Sequence, residues 1–249
     1  FLFMEKWFAD LQKWFAEYGV GAIGIVLLFI LLVVTFTLYH SKNAEEKARF
    51  SLTKLIARVA IFGAMASILY VVELFTIKLP FFPSFLSLHF DEVPAFIAGF
   101  AYGPVAGLGV LVIKTIIKLP FTSTATVGEF GDLLLSSIYL IPVCLIYKKQ
   151  RNLKGVAIGF SVGTVLQVIA GMALNVYLYI PFYSMFYNIP MEGLLKLCQL
   201  ANPAITDVGW SYAVLAVLPF NALKDAIVIV LTFLVYRSIH VFLRFNKNN

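Results

Sequence analysis

Charged residues are scarce in this sequence. Asp, Glu, Lys and Arg make up 13% of its 249 residues and hydrophobic residues make up 61%, whereas a soluble globular domain carries roughly 25% charged residues. No polar stretch reaches the roughly 50 residues of a small separate domain. The composition therefore excludes an ordinary soluble protein and predicts an integral membrane protein with one membrane domain.

The sequence also lacks the motifs of common catalytic and metal-binding sites. Its two cysteines, Cys144 and Cys198, form neither a disulfide framework nor a metal-ligand spacing. It contains no P-loop, no HExxH motif, no Asp-rich Mg²⁺ motif and no serine nucleophile elbow. We therefore expect neither an enzyme nor a metal cofactor. Without a P-loop the chain cannot drive transport by hydrolysing nucleotides itself.

Long apolar runs indicate the membrane-spanning helices. A helix needs about twenty apolar residues to cross the hydrocarbon layer, and the clear runs of that length are 19–39, 56–77, 128–147, 155–182 and 212–235. Residues 92–118 are also apolar but are interrupted by Tyr102-Gly103-Pro104, which predicts two short helices joined by a tight turn. The sequence thus predicts seven membrane segments in an all-α protein.

The first fifty residues form a region of their own. Aromatic and charged residues alternate at helical spacing before the first apolar run, which predicts an amphipathic helix at the membrane surface. We therefore divide the chain in two. Residues 1–50 hold this leader, one extra transmembrane helix and a basic linker, and residues 51–249 form a six-helix membrane domain.

Basic residues predict the orientation in the cell membrane. If the helices alternate in direction, twelve Lys and Arg residues fall on one side, in the connections 40–58 and 148–154 and at the C-terminus. The positive-inside rule makes that side cytoplasmic. We expect the N-terminus outside, the C-terminus inside and the connections 78–91, 119–127 and 183–210 facing outward. Basic residues in such short loops orient the chain and do not indicate a nucleic-acid partner.

Polar residues within apolar runs are the candidates for a binding site, because each costs about 2.5–3.5 kcal/mol on insertion scales. They are Asn175, Asn221, Lys224, Asp225, Glu129 and Asp132. Asn221 and Lys224 are three residues apart and share a helix face. Structural roles remain open: Thr126 and Glu129 match a capping box, and the others can join neighbouring helices. An outward-opening pocket would collect all of them.

A stripe of small residues marks the helix after the basic linker. Ala57, Ala60, Ala64 and Ser67 span about 80° of the helical wheel, so this face permits close helix contact. Packing inside the bundle and contact with a partner protein are both compatible with the stripe.

Several segments in the second region resemble a known family in their sequence order. They are 82–86 (FPSFL), 91–100 (DEVPAFIAGF), 102–107 (YGPVAG), 113–114 (IK), 126–130 (TVGEF) and 221–225 (NALKD). Together they resemble the riboflavin-specific S components of energy-coupling-factor (ECF) vitamin transporters. The resemblance covers about residues 51–245 and implies a six-helix protein that captures riboflavin from outside. Such a protein delivers its ligand with a transmembrane T component and two cytoplasmic ATPases.

The resemblance also implies residue roles. Asn175, Asn221 and Lys224 would hydrogen-bond the flavin ring. Glu129 and Thr126 would line the site, and Phe85 with Leu86 would help to cover it. Ala60 and Ala64 match the contact with the T component. The residues suit this ligand, because a flavin has a flat apolar body and a hydrogen-bonding edge.

Two departures leave alternatives open. Residues 1–50 have no counterpart in the family, so they are free to contact lipid, the T component or another protein. Asp132 stands where the family pattern has asparagine, which leaves riboflavin, its phosphorylated form FMN and related flavins as candidate ligands. The competing hypotheses are a membrane-embedded enzyme acting on a lipid or prenyl substrate through Glu129, Asp132 and Asp225, and a purely structural or sensory protein.

Overall fold

The computed structural model describes residues 52–122, 124 and 126–245, and helices dominate this part of the chain. They are α1 (Leu52–Val71), α2 (Glu92–Tyr102), α3 (Pro104–Lys118), α4 (Val127–Lys149), α5 (Leu153–Phe186), the short α6 (Met191–Ala201) and α7 (residues 210–245). Six of them, all but α6, correspond to the predicted bundle helices. The leader and the extra helix predicted within residues 1–50 lie outside the described residues.

Four of the described helical stretches are long and apolar enough to cross a membrane. They are Pro104–Phe121, Val127–Lys149, Leu153–Phe186 and Trp210–Tyr236, and Leu55–Val71 is a shorter apolar stretch. The connections 72–91, 119–126 and 187–209 share one end of the bundle, which we call the long-loop end. The turns at 103 and 150–152 share the other, short-turn end.

The predicted turn between α2 and α3 is confirmed. Gly103 has φ of 96°, a conformation that L side chains rarely adopt, and Pro104 begins α3. A second glycine lets the two helices approach closely, since a Cβ at Gly107 would lie 2.9 Å from the carbonyl oxygen of Ala95. Both positions therefore favour glycine for steric reasons.

The prediction of a helix over residues 56–77 is wrong at its C-terminal end. Helix α1 ends at Val71, a 3₁₀ turn follows at Glu73–Phe75, and Ile77 pairs with Leu88 in an isolated antiparallel bridge. Leu88 is 1% exposed. Val72, Leu74 and Ile77 are apolar but exposed, so only part of this connection folds into the bundle. Apolar composition alone does not separate such a loop from a helix.

Helices α5 and α7 each contain a π-helical turn, at Asn175–Tyr179 and Ala213–Val217. The two turns contact each other near the long-loop end. Such π turns are frequent at functional sites because they displace side chains from the regular helical positions.

Aromatic side chains fill the short-turn end. Six of them pack in one cluster, with neighbouring ring centroids 4.6–6.2 Å apart: Phe96, Phe100, Tyr139, Tyr147, Phe160 and Tyr236. The hydroxyls of Tyr147 and Tyr236 lie 2.7 Å apart. The polar residues of the site therefore lie between this aromatic layer and the long-loop end.

Candidate ligand-binding site

Five charged residues from four helices or their ends meet in the bundle, and we call them the charge cluster: Asp91, Glu92, Lys114, Asp132 and Lys224. All are buried except Asp132, whose side chain is 20% exposed. Lys114, which is fully buried, donates to Asp91 Oδ2 and to Asp132 Oδ2, the latter at 2.8 Å. Its ammonium also lies 4.8 Å from the centre of the Tyr70 ring. Lys114 thus joins the start of α2 to α4.

Lys224 forms the second half of the charge cluster. Its Nζ donates to Glu92 Oε1 at 2.9 Å and lies 3.8 Å from Asp132 Oδ1. The hydroxyl of Ser136 donates to the same oxygen of Glu92 at 2.7 Å. The charged end of Lys224 is therefore held between α2 and α4 at a defined position.

The charge cluster is close to neutral, with three carboxylates and two ammonium groups when all are ionised. Charges removed from water are stabilised only by good mutual geometry, and loss of one partner from a buried pair costs about 3–5 kcal/mol. Among the described residues no group of histidine, cysteine and acidic side chains is arranged to hold a metal ion. Here the two lysine ammonium groups balance two of the three carboxylates.

Asn175 and Asn221 come together at Gly171. Asn175 donates to the Gly171 carbonyl at 2.8 Å and accepts from the Tyr212 hydroxyl at 3.0 Å. A Cβ at Gly171 would lie 2.8 Å from the amide nitrogen of Asn221. The sequence predicts a partner for Asn175 across the bundle, and Tyr212 is that partner. The π turn of α5 begins at Asn175 itself.

Phe85 and Leu86 lie against the same region. The Phe85 ring is 6.0 Å from that of Tyr212, and Leu86 packs on the apolar cluster that contains Tyr212. Phe82 contacts Phe220, one residue before Asn221, at 5.3 Å. The connection 72–91 therefore packs against Tyr212 and Phe220, which adjoin the two asparagines.

Glu129 does not form the capping box. Thr126 has φ of 70° and makes no side-chain cap to α4, so the local spacing was misleading there. Glu129 Oε2 instead accepts from the hydroxyls of Thr122 and Thr124 at 2.8 and 2.7 Å. The carboxylate, 3% exposed, thus fastens the connection 119–126 to the start of α4.

Asp225 lies apart from Lys224, its neighbour in sequence, and is fully buried. With the Gln167 amide nitrogen turned towards it, Gln167 donates to both carboxylate oxygens, at 2.9 and 2.8 Å. Asp225 therefore joins α7 to α5 and does not belong to the charge cluster.

The small-residue stripe lies on a different surface. Ala57, Ala60 and Ala64 are exposed on α1, whereas Ser67 is buried and donates to the Gly63 carbonyl at 2.7 Å. Of the four stripe residues, therefore, only Ser67 packs inside the described bundle, and the three alanines face outward.

Sequence reasoning missed four residues that shape this site. Asp91, Glu92 and Lys114 resemble ordinary residues near helix ends, and Tyr212 resembles one of many interfacial aromatics. Lys114 carried a usable signal, because a lysine inside an apolar helix requires a buried acidic partner. Asp91, just before α2, and Glu92, in its first turn, were the nearest candidates for that partner.

Comparison with known proteins identifies the class. A family model for the substrate-specific component of ECF transporters matches residues 54–236, and the chain belongs to this family. A solved structure described as "Structure and mechanism of the S component of a bacterial ECF transporter" aligns with a TM-score of 0.61 and 26% identity. The alignment covers 78% of this chain and 99% of that one.

Curated relatives give more specific names. The riboflavin transporter RibU of Staphylococcus aureus (strain TCH60) is 28% identical over 202 residues, which is 81% of this chain and 98% of the relative. The riboflavin transporter FmnP of Bacillus subtilis (strain 168) is 28% identical over 185 residues, covering 73% and 90%. These relatives are transporters, so the predictions of a multi-pass membrane protein and of a non-enzymatic role are confirmed.

Proposed function

We propose that the chain captures riboflavin at its long-loop end and delivers it to the cytoplasm with a T component and two cytoplasmic ATPases. The observation that carries this proposal is the convergence of Asn175, Asn221 and Lys224 within an apolar bundle, beneath the aromatic connection 72–91. The names of the relatives support the same ligand. FMN and related flavins are the competing ligands.

The proposed roles follow the chemistry of the ligand. Asn175, Asn221 and Lys224 hydrogen-bond the polar edge of the flavin ring, while Phe85 and Leu86 cover its flat apolar body. Thr126 and Glu129 line the site, and Glu129 in addition holds its connection closed through two threonines. Binding then orders the connections at the long-loop end around the ligand.

The proposed T-component contact uses Ala60 and Ala64. Both are exposed on α1, which lets another helix approach closely. Large apolar side chains flank them, including Ile61 at 62% and Ile68 at 55% exposure. In a membrane this surface meets either lipid or a protein partner, and the small residues favour the partner.

A binding measurement tests the ligand and the site. The purified protein should carry a yellow flavin spectrum or quench riboflavin fluorescence on addition. Asn221→Ala or Lys224→Ala should weaken riboflavin binding by about 1–3 kcal/mol, because a polar group on the ligand loses its partner. Lys196→Ala, at an exposed position on α6, is the matched control and should bind as the parent does. Parental binding by both site variants would refute the assignment.

Thiol labelling tests the orientation. Asn152→Cys lies in the 150–152 turn and Ala204→Cys in the connection after α6, and both positions are exposed. In intact cells an impermeant maleimide should label the second and not the first. Native Cys144 and Cys198 are buried, and burial raises the pKa of the Cys198 thiol to about 11, so background labelling should be low. Labelling at position 152 and not at position 204 would show that the chain has the opposite orientation in the membrane.

A further inference from the structure

Glu92, a member of the charge cluster, has one carboxylate oxygen that accepts no hydrogen bond from the described residues. Its Oε1 accepts from both Ser136 and Lys224. Its Oε2 is buried and has no hydrogen-bond partner among the described residues, and the residue is 1% exposed. A buried carboxylate oxygen without a donor is costly, so such an atom needs a donor, which a bound ligand is able to supply.

The proposed ligand supplies that donor. The polar edge of the flavin ring is a cyclic imide, in which an N–H group stands between two carbonyl oxygens. An acceptor–donor–acceptor edge is complemented by a donor–acceptor–donor set in the protein. Lys224 and Asn221 provide the two outer donors, and they lie on one face of α7. To complete the donor–acceptor–donor arrangement, the protein needs one acceptor beside Lys224.

We propose that Glu92 recognises the imide N–H of the flavin through its free oxygen, Oε2. The inference rests on the proposed function and extends it to a residue that neither the sequence pattern nor the relatives' names assign. Lys224 and Glu92 then act as a pair: the ammonium donates to one ring carbonyl while remaining bonded to Oε1. Glu92 thereby determines selectivity for ligands with an unsubstituted imide.

Other acceptors in the site are less suited to this role. The side-chain oxygen of Asn175 is occupied by the Tyr212 hydroxyl. Asp132 Oδ2 accepts from Lys114, and Oδ1 faces Lys224 at 3.8 Å. Asn221 is the remaining competitor, because its amide oxygen is able to accept the same N–H if the amide turns round.

Comparing the binding of two ligands tests the contact between Glu92 and the imide N–H. Riboflavin and its N3-methyl derivative differ only in that the methyl group removes the donor and adds bulk at the same atom. The parent protein should bind the methylated ligand at least about tenfold more weakly, since the contact is lost and the methyl group collides. Glu92→Ala removes the acceptor and opens space for the methyl group. In this variant the two ligands should bind within about threefold of each other.

Matched variants exclude a merely structural effect. Asp132→Ala opens a similar space on the other side of Lys224, and it should weaken both ligands while preserving their ratio. A general disturbance of the site by Glu92→Ala would also leave the ratio at its parental value, and that result overturns the proposal. If Asn221→Ala and not Glu92→Ala made the two ligands bind equally well, the imide contact would belong to Asn221. That result would also overturn the proposal.

If Glu92→Ala fails to fold, a measurement on the unaltered chain still tests the proposal. In riboflavin labelled with ¹⁵N at N3, the bound imide proton should be protected from exchange and shifted downfield by its carboxylate acceptor. A bound ligand whose imide proton exchanges freely would refute the role of Glu92 while leaving riboflavin binding intact. Failure of the parent to bind riboflavin at all would instead refute the proposed function.

Discussion

Replacing Lys114 with methionine should lower the free energy of unfolding by about 3–5 kcal/mol, because the buried Asp91 and the partly buried Asp132 would then lose the cation that they share. Both carboxylates accept from Lys114, and all three residues lie where helices α2, α3 and α4 meet. The effect should be seen as a large fall in melting temperature of the protein in detergent. It should reduce ligand binding too, since Asp132 would be drawn towards Lys224.

Lys118→Met is the matched control for this variant. Lys118 lies one turn further along and donates to the Tyr70 carbonyl at 3.2 Å, without a buried carboxylate partner among the described residues. We expect a loss of about 1 kcal/mol or less. Combining Lys114→Met with Asp91→Asn and Asp132→Asn should restore part of the stability. Equal melting temperatures for the Lys114 and Lys118 variants would contradict the importance of the charge cluster.

Enlarging Ala60 or Ala64 to leucine should abolish most riboflavin uptake while leaving binding to the isolated protein intact. The two alanines are exposed on α1 and lie outside the polar site, so added volume meets no side chain of the described bundle. A closely packed partner helix would be displaced instead, at a cost of about 1–3 kcal/mol. Uptake in cells should fall roughly 5- to 150-fold if docking limits transport.

Ala157→Leu provides the comparison, because Ala157 is an exposed alanine on α5. This variant should transport normally. Binding, melting temperature and co-purification with a T component should be measured for all three variants together. If Ala60→Leu and Ala64→Leu lost binding and stability but retained the T component, the stripe would be a structural element and the proposed interface would be wrong.

Most of the fold was predictable because crossing a membrane demands long apolar helices. Runs 128–147 and 155–182 fall within α4 and α5, and the Gly103-Pro104 interruption gave the turn between α2 and α3. The end of α1 was not predictable in this way, since apolar residues continue beyond Val71 into the connection 72–91, where Val72, Leu74 and Ile77 are exposed. Helix α6 was missed because it is short and amphipathic, with four residues between it and α5.

Part of the candidate site was predictable because polar residues within apolar runs are costly to bury. This signal selected Asn175, Asn221 and Lys224 as candidates, and in the structure Asn175 and Asn221 both lie next to Gly171. Their partners were harder to find, since Glu92 and Lys114 are joined to Lys224 and Asp132 by contacts between distant parts of the chain. A single sequence shows the cost of burying a charge but does not show which residue compensates it.

The connection 72–91 leads the chain back into the bundle before α2 begins. Lys224 lies twelve residues beyond Tyr212, or about 18 Å along α7, yet it contacts Glu92 at the very start of α2. Non-helical backbone at such depth is tolerated only inside protein or beside water. The start of α2 is thus enclosed by the bundle, and the aromatic cluster around Phe100 and Tyr147 lies on its short-turn side.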